Sequence, residues 1–175
     1  MKGFKDKVAV ITGAASGIGK AIALNCAKRG MRVVLADIEE KALFQTEAEL
    51  ESMQVETMAV VTNVADPDSV ANLAEKTATW FDGVHLLVNN AGVTSAKETY
   101  MWKKTLADWE WIIGVNLWGV IHGIRCFMPH LEKHNEDACI LNTASIAGLS
   151  SGWDIYGVTK HAVVALSENL QIQLE

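Results

Sequence analysis

A doubly wound parallel α/β sheet with helices on both faces is the fold class this sequence predicts, and three observations carry the prediction. Short runs rich in Val, Ile and Leu alternate with longer helical stretches along the whole chain. Those runs are apolar throughout instead of alternating in and out, as strands covered on both faces are. The first run ends in a glycine-rich turn, "TGAASGIG", that leads straight into a helix.

Taken in order, the strands are "KVAVIT" (7–12), "RVVLAD" (32–37), "TMAVVT" (57–62), "HLLVNN" (85–90) and "ACILNT" (138–143). Between them the pattern predicts helices near 17–29, 39–52, 67–82 and 106–132, with a last helix from about 155. Connections of helix length join parallel strands, so the sheet is three-layered, helix on sheet on helix. Asp66 followed by Pro67 is an N-cap and N1 pair that starts the third helix. No internal repeat or low-complexity linker divides the chain, and 175 residues with half of them apolar form one domain, residues 1–175.

Charge and cysteine content exclude several classes. The net charge of -6 divides evenly, 9 basic against 12 acidic residues through Leu87 and 6 against 9 beyond it. No basic stripe points to nucleic acid, and no basic amphipathic helix points to a membrane surface. The uncharged run "WIIGVNLWGVIHGI" (111–124) is too short to span a bilayer and reads as a buried helix. "MKGFKDK" leaves no room for a signal peptide. Cys26, Cys126 and Cys139, odd in number and set among apolar residues, read as reduced core thiols of a cytoplasmic protein.

The glycines of the first turn, at 13, 17 and 19, do not match the G-x-G-x-x-G spacing, yet the physics is shared. Gly13 allows a tight exit from the strand, Gly17 a close approach of backbone to a pyrophosphate, and Gly19 close packing of helix on sheet. Free N–H groups at the helix start attract anions. Asp37, at the end of the second strand and 18 residues after Gly19, stands where a carboxylate accepts from adenosine ribose hydroxyls and repels a 2′-phosphate. Ile38 follows it and Ser16 occupies the loop, so no cation sits beside it to receive such a phosphate. This favours NAD as cofactor. The plainer role for Asp37 is to cap the helix beginning at Glu39.

Four motifs then stand in order: T-G-x-x-x-G-x-G at Thr12 to Gly19, N-N-A-G at Asn89 to Gly92, a mid-helix Asn116, and Y-x-x-x-K at Tyr156 and Lys160. With them the chain resembles the short-chain dehydrogenase/reductase family over essentially its whole length. The resemblance implies a Rossmann-type sheet of strand order 3-2-1-4-5 and an NAD(P)-dependent oxidoreductase of alcohols or carbonyls, for which Asp37 selects NAD. It implies a cofactor site of Gly13, Ser16, Gly17, Ile18, Gly19, Asp37, Ile38, Asn63, Val64, Asn90, Ala91, Gly92, Thr143, Tyr156 and Lys160. Asn63 and Val64 fall at the adenine, where the family more often has Asp-Val; an Asn amide oxygen still accepts from the adenine amino group.

Tyr156 and Lys160 lie one helical turn apart on one face. A tyrosine's ordinary pKa is about 10, and bringing a phenol to about 7 needs ~4 kcal/mol of differential stabilisation. An ammonium about 4 Å away supplies ~4 kcal/mol at an effective dielectric of 20. The catalytic set implied is Asn116, Ser145, Tyr156 and Lys160. In the family the lysine also holds the nicotinamide ribose, and the asparagine supports a proton-relaying water. The hydroxyl on the reacting oxygen is open between two residues. Thr143 has the usual 13-residue spacing before the tyrosine, whereas "SIAG" at Ser145 has the usual wording, and Ser145 is preferred because loops tolerate deletion better than strands tolerate slippage.

Other features read plainly. His130 and His134, at i and i+4, lack an evident third ligand, so no metal site is assigned. Trp109, Trp111 and Trp118 read as helix core or interface, and Trp153 as the aromatic near substrate. The resemblance implies a homodimer or homotetramer through the helices of Asn116 and Tyr156. A dinucleotide-binding regulatory or scaffold domain without turnover is the alternative, opposed by the matched Tyr156, Lys160 and Asn116. A sugar-nucleotide epimerase or dehydratase shares Y-x-x-x-K but differs in glycine spacing. Family members usually continue for about 70 residues beyond the equivalent of "ENLQIQLE". The expectation is therefore of an N-terminal part of a longer enzyme, lacking its C-terminal strands and most of its substrate pocket, with "ACILNT" as an open sheet edge.

Overall fold

Five Val/Ile/Leu-rich segments form the strands β1 (Val8–Thr12), β2 (Arg32–Asp37), β3 (Thr57–Val61), β4 (Leu86–Asn89) and β5 (Cys139–Asn142). The computed structural model describes residues 3–94, 100–134 and 136–174. The last residue of the expected final helix, Glu175, lies outside them. All four strand pairings are parallel, in the order β3-β2-β1-β4-β5, with Val10 opposite both Val34 and Leu87 at the centre. The expected strand order is therefore present. β2 matches its apolar segment, β1 starts one residue late, β3 ends one residue early, and β4 and β5 are one residue shorter at each end.

The helices are α1 (Gly17–Lys28), α2 (Glu40–Ser52), α3 (Pro67–Trp80), α4 (Leu106–Ile113), α5 (Gly119–Glu132) and α6 (Ile155–Leu174). Asp66 accepts from the Asp68 amide with Pro67 at the first helical position, as its sequence predicts. Alternate residues of the central strands feed opposite cores. Val8, Val10, Val34 and Leu87 join Leu73, Phe81, Phe127 and Leu131 on one face, while Ala9, Ile11, Val33 and Val88 join Ala23, Leu43 and Leu50 on the other. This double burial is why the strands read as continuous apolar runs.

The sequence pattern predicted one helix over 106–132; the chain instead inserts a π-helical segment, Gly114–Trp118, between α4 and α5. Such widened turns occur mostly at functional sites, and this one carries Asn116. The combined helical body, Leu106–Glu132, is long and apolar enough by length and composition to cross a membrane. Its Ile112, Asn116, Val120, Phe127 and Leu131 are buried, so one face of it packs into the core. The opposite face is not buried: Trp111 and Trp118 are about half exposed, which leaves interface, of the two readings core or interface, for these residues. Cys139 is exposed on the edge strand β5, unlike buried Cys26, because β5 has a neighbour on one side only.

Candidate active site

The C-terminal strand ends converge on one crevice between β1 and β4, where strand order reverses. Gly13 has φ +67°, a left-handed conformation glycine adopts without penalty, and a β-carbon there would stand 2.9 Å from the Ala91 α-carbon. Ser16 precedes α1 without capping it by its side chain. The first amides of α1 thus open toward the crevice mouth with Ser16, Gly17 and Ile18 exposed, an arrangement suited to an anion.

Asp37 does not cap α2, which starts at Glu40 with Glu39 as its N-cap and no side-chain cap bond; its carboxylate instead holds two loop amides. Its Oδ2 accepts from the Ala15 amide at 2.9 Å and its Oδ1 from the Glu39 amide at 3.1 Å. One carboxylate thereby ties the glycine loop to the end of β2, and each oxygen keeps a further lone pair for a ribose hydroxyl. Ile38 beside it is 59% exposed, an apolar flank without charge. Asn63 Oδ1 accepts from the Ala65 amide, a tight local turn. Val64 is buried against Gly119 of α5, and its carbonyl accepts from His122 Nδ1 at 3.0 Å. At this position the side chain packs the core, which leaves backbone as the means of reaching an adenine.

Asn90 is the hub of the crevice. Its Nδ2 donates to the Thr12 carbonyl at 3.0 Å and its Oδ1 accepts from the Thr143 hydroxyl at 3.3 Å. Thr12 Oγ1 in turn accepts from the amides of Asn90 and Ala91. The glycine loop, the end of β4 and the end of β5 are thus one hydrogen-bonded unit. Thr12 was quoted in its motif without a role; its hydroxyl proves to fix the β4 loop, a contact between positions 78 apart that spacing does not reveal.

A second unit holds the reactive pair. Asn116 accepts from the Val93 amide at 2.8 Å and donates to the Val93 carbonyl and to Thr159 Oγ1. Thr159 Oγ1 donates to the Tyr156 carbonyl at 2.8 Å. The Asn116 side chain therefore clamps the loop after Gly92 onto the helix of Tyr156 and Lys160. Lys160 is 4% exposed, its ammonium donates to the Thr143 carbonyl at 2.7 Å, and its nitrogen lies 5.6 Å from the centre of the Tyr156 ring. Burial pushes the lysine below its ordinary pKa of 10.5. Asp154 Oδ1 accepts from the Tyr156 amide and starts α6.

Of the two hydroxyls, that of Thr143 already donates to Asn90. Ser145 Oγ accepts from the Ala147 amide at the head of a short turn, Ile146–Gly148, which leaves its own proton to donate. Gly148 of that turn packs on the Lys160 backbone so closely that a β-carbon would stand 2.6 Å from the Lys160 carbonyl oxygen.

A family model described as short chain dehydrogenase matches residues 7–175 of this chain. The chain belongs to the short-chain dehydrogenase family. Among curated relatives, a "CLA biosynthesis dehydrogenase/reductase" of Lactiplantibacillus plantarum is 37% identical, over 100% of this chain and 61% of its own length. Among solved structures, a short-chain dehydrogenase/reductase from Burkholderia phymatum in complex with NAD superposes with a TM-score of 0.93 at 46% identity, covering 97% of this chain and 60% of that one. An NAD⁺-bound xylitol dehydrogenase superposes at 0.92 with 30% identity, covering 99% of this chain and 66% of that one. This short-chain dehydrogenase chain thus spans about three fifths of the length of these relatives.

Far from the crevice, at the opposite end of the sheet, the short-chain dehydrogenase carries a histidine cluster that the i, i+4 spacing did not identify. His134 stacks on His85 at 4.2 Å, and Glu136 Oε2 lies 3.3 Å from His85 Nε2 and 3.6 Å from Lys7 Nζ. Their ligand atoms lie within 4.8 Å of one another. The ring nitrogens of both histidines are already in use. His85 Nδ1 accepts from the Val8 amide, so a neutral ring carries its proton on Nε2, facing Glu136. His134 Nδ1 accepts from the Glu136 amide, which leaves Nε2 to donate to the Val84 carbonyl. The cluster is a hydrogen-bonded clamp on the start of β4.

That clamp gives stability a pH dependence. Desolvation, followed by the neighbouring His134, holds His85 below its ordinary pKa of 6.5, while Glu136 opposes the shift and Lys7 adds a little to it. Above about pH 6.5 the folded and unfolded states both hold this ring neutral and its contribution is complete. As pH falls below that value the unfolded chain takes the proton first, and stability declines until the folded-state pKa is passed. Urea unfolding at pH 7.5 and 5.5 is expected to show a smaller loss in His85→Asn, whose amide oxygen keeps an acceptor for Val8. An equal loss in both proteins would place the dependence elsewhere.

Proposed function

We propose that this oxidoreductase is NAD-dependent and interconverts a secondary alcohol and a ketone, with Tyr156 as the proton-transferring group. The observation that carries the reading is the convergence of Lys160, Tyr156 and the Asn116 clamp beside Gly92, at the mouth of the glycine loop. Four residues brought together from the loop after β4, the π-helical segment and α6 have no structural need for a phenol and a buried ammonium together.

The residues present fit a dinucleotide. Uncapped amides at the start of α1 would hold the pyrophosphate, Asp37 the adenosine ribose, and Lys160, with the Thr143 carbonyl already on one of its three donors, the second ribose. When bound, the nicotinamide supplies the hydride acceptor. The protein's own part is the proton. Ser145 donates to the reacting oxygen and orients it; Tyr156 takes the hydroxyl proton as the carbonyl forms and returns it in the reverse direction. Lys160, whose ammonium lies 5.6 Å from the centre of the Tyr156 ring, supplies the positive charge beside the phenol. Asn116 acts through position, holding Val93 and Thr159 in register. The half-exposed Trp111, Trp118 and Val158, on the helices of Asn116 and Tyr156, fit a face shared with a second copy in a homodimer or homotetramer.

Kinetics with both cofactors test the proposal. NAD is expected to exceed NADP in kcat/KM by tenfold or more, because a 2′-phosphate would meet the Asp37 carboxylate with no cation to offset it. Asp37→Ser is expected to narrow that ratio several-fold. Equal efficiency with NADP would overturn the preference, and failure to reduce either cofactor with any alcohol would overturn the dehydrogenase reading.

A further inference from the structure

Resting on that dehydrogenase reading, we propose that the substrate is a secondary alcohol or ketone bearing a flat aromatic ring next to the reacting carbon, held against Trp153 and Trp102. A cleft of about 660 Å³ opens between residues 100–103 and 152–154, within the usual ~300–1,000 Å³ of small-molecule sites. Residues 152–154 lead directly into α6, and the Asp154 carboxylate holds the Tyr156 amide. The cleft wall is therefore rigidly joined to the proposed reaction centre. Lys104 crosses from the other wall to Asp154 at 3.8 Å, which ties the two sides together.

The lining is largely aromatic, and the polar groups of Trp153 and Asp154 in it are engaged. The Trp153 indole N–H donates to Ser150 Oγ at 3.0 Å, which occupies the ring's one polar group, and the residue lines the cleft while 50% exposed. Its root is fixed: any side chain on Gly157 would overlap the Trp153 β-carbon. Tyr100 and Trp102 stack with ring centres 4.5 Å apart and planes 13° from parallel, and both are largely exposed. The Lys103 ammonium lies 5.5 Å from the Tyr100 ring and Asp154 is paired with Lys104. A polyhydric substrate would find few partners here. A planar ring finds broad π faces at which offset stacking and area burial both favour it.

The test uses the purified protein with NAD⁺ and three alcohols: 1-phenylethanol, 2-octanol with the same number of heavy atoms, and xylitol. We expect 1-phenylethanol to exceed 2-octanol in kcat/KM by tenfold or more, with xylitol lowest. Trp153→Ala is expected to cut the aryl-to-alkyl ratio at least fivefold, and Trp153→Phe, which keeps a ring and the β-carbon seat, to restore most of it. A ratio near one in the unaltered protein, or one unmoved by Trp153→Ala, overturns the inference and leaves the dehydrogenase reading intact. Saturation-transfer NMR with 2-acetonaphthone reads binding without turnover. Binding that Trp153→Ala abolishes, in a protein that oxidises no alcohol, upholds the aromatic site and removes the dehydrogenase reading. Absence of both binding and turnover overturns both.

Discussion

Tyr156→Phe is expected to lower kcat by about 10²- to 10⁴-fold while leaving NADH affinity within about threefold, the range typical of a lost general acid/base. The substitution removes one oxygen and almost no volume. The ring that Lys160 faces at 5.6 Å remains, and so does the backbone around it, since the Thr159 hydroxyl bonds the Tyr156 carbonyl and Asp154 bonds its amide. Lys160 also keeps its bond to the Thr143 carbonyl, so the ammonium stays available to a ribose. What disappears is the phenol proposed to exchange a proton with the reacting oxygen beside the Lys160 ammonium. Steady-state kinetics with a fluorescence titration of NADH separates the two quantities. Near-full kcat would remove Tyr156 from proton transfer, and a parallel loss of NADH affinity would show that the phenol serves binding.

The sheet was legible because burial on both faces leaves its mark on every residue of a strand. Val8 to Ile11 and Val33 to Ala36 are each completely buried, and nothing but apolar residues could stand there. The glycine loop and the Tyr156 and Lys160 pair were legible because local spacing alone constrains them. The π-helical segment was not legible, since "WIIGVNLWGV" has the apolar pattern of an unbroken helix. Its cause is tertiary: Asn116 reaches Val93 and Thr159, positions 23 and 43 away in sequence. The His85 cluster escaped notice for the same reason, because His134 stands 49 residues from its stacking partner. Pairing His130 with His134 followed helical spacing, whereas the fold turns His134 toward the start of β4. Asp37 could not be read as a loop tether from sequence, since its bond to the Ala15 amide spans 22 positions; a carboxylate with four lone-pair sites can tether that loop and still accept from a ribose.

Gly19→Ala is expected to destabilise the fold by about 1–3 kcal/mol, the usual cost of overpacking, and to weaken NADH binding at least tenfold. Its φ is ordinary for any residue, so the effect is steric. A β-carbon on Gly19 would overlap the Gly13 carbonyl oxygen and stand 2.6 Å from Asn90 Nδ2. Gly13 has no room to retreat, because a β-carbon of its own would already be 2.9 Å from the Ala91 α-carbon. Asn90 is equally fixed, by Thr12 on one side and the Thr143 hydroxyl on the other. Displacing it disturbs Thr143, whose carbonyl holds Lys160, so a methyl group in the cofactor loop is felt at the reactive lysine. Gly17→Ala is the proper comparison. At Gly17 nothing lies within 4 Å, but φ is +53°, so alanine there incurs only left-handed backbone strain of about 1–2 kcal/mol without pushing on Asn90. Urea unfolding and NADH titration of both variants distinguish the mechanisms. If Gly19→Ala keeps NADH affinity while Gly17→Ala loses it, the tight helix-to-strand contact is not what shapes the cofactor loop. If Gly19→Ala lowers kcat beyond what saturating cofactor restores, the coupling from Gly19 through Asn90 and Thr143 to Lys160 is present in function as well as in geometry.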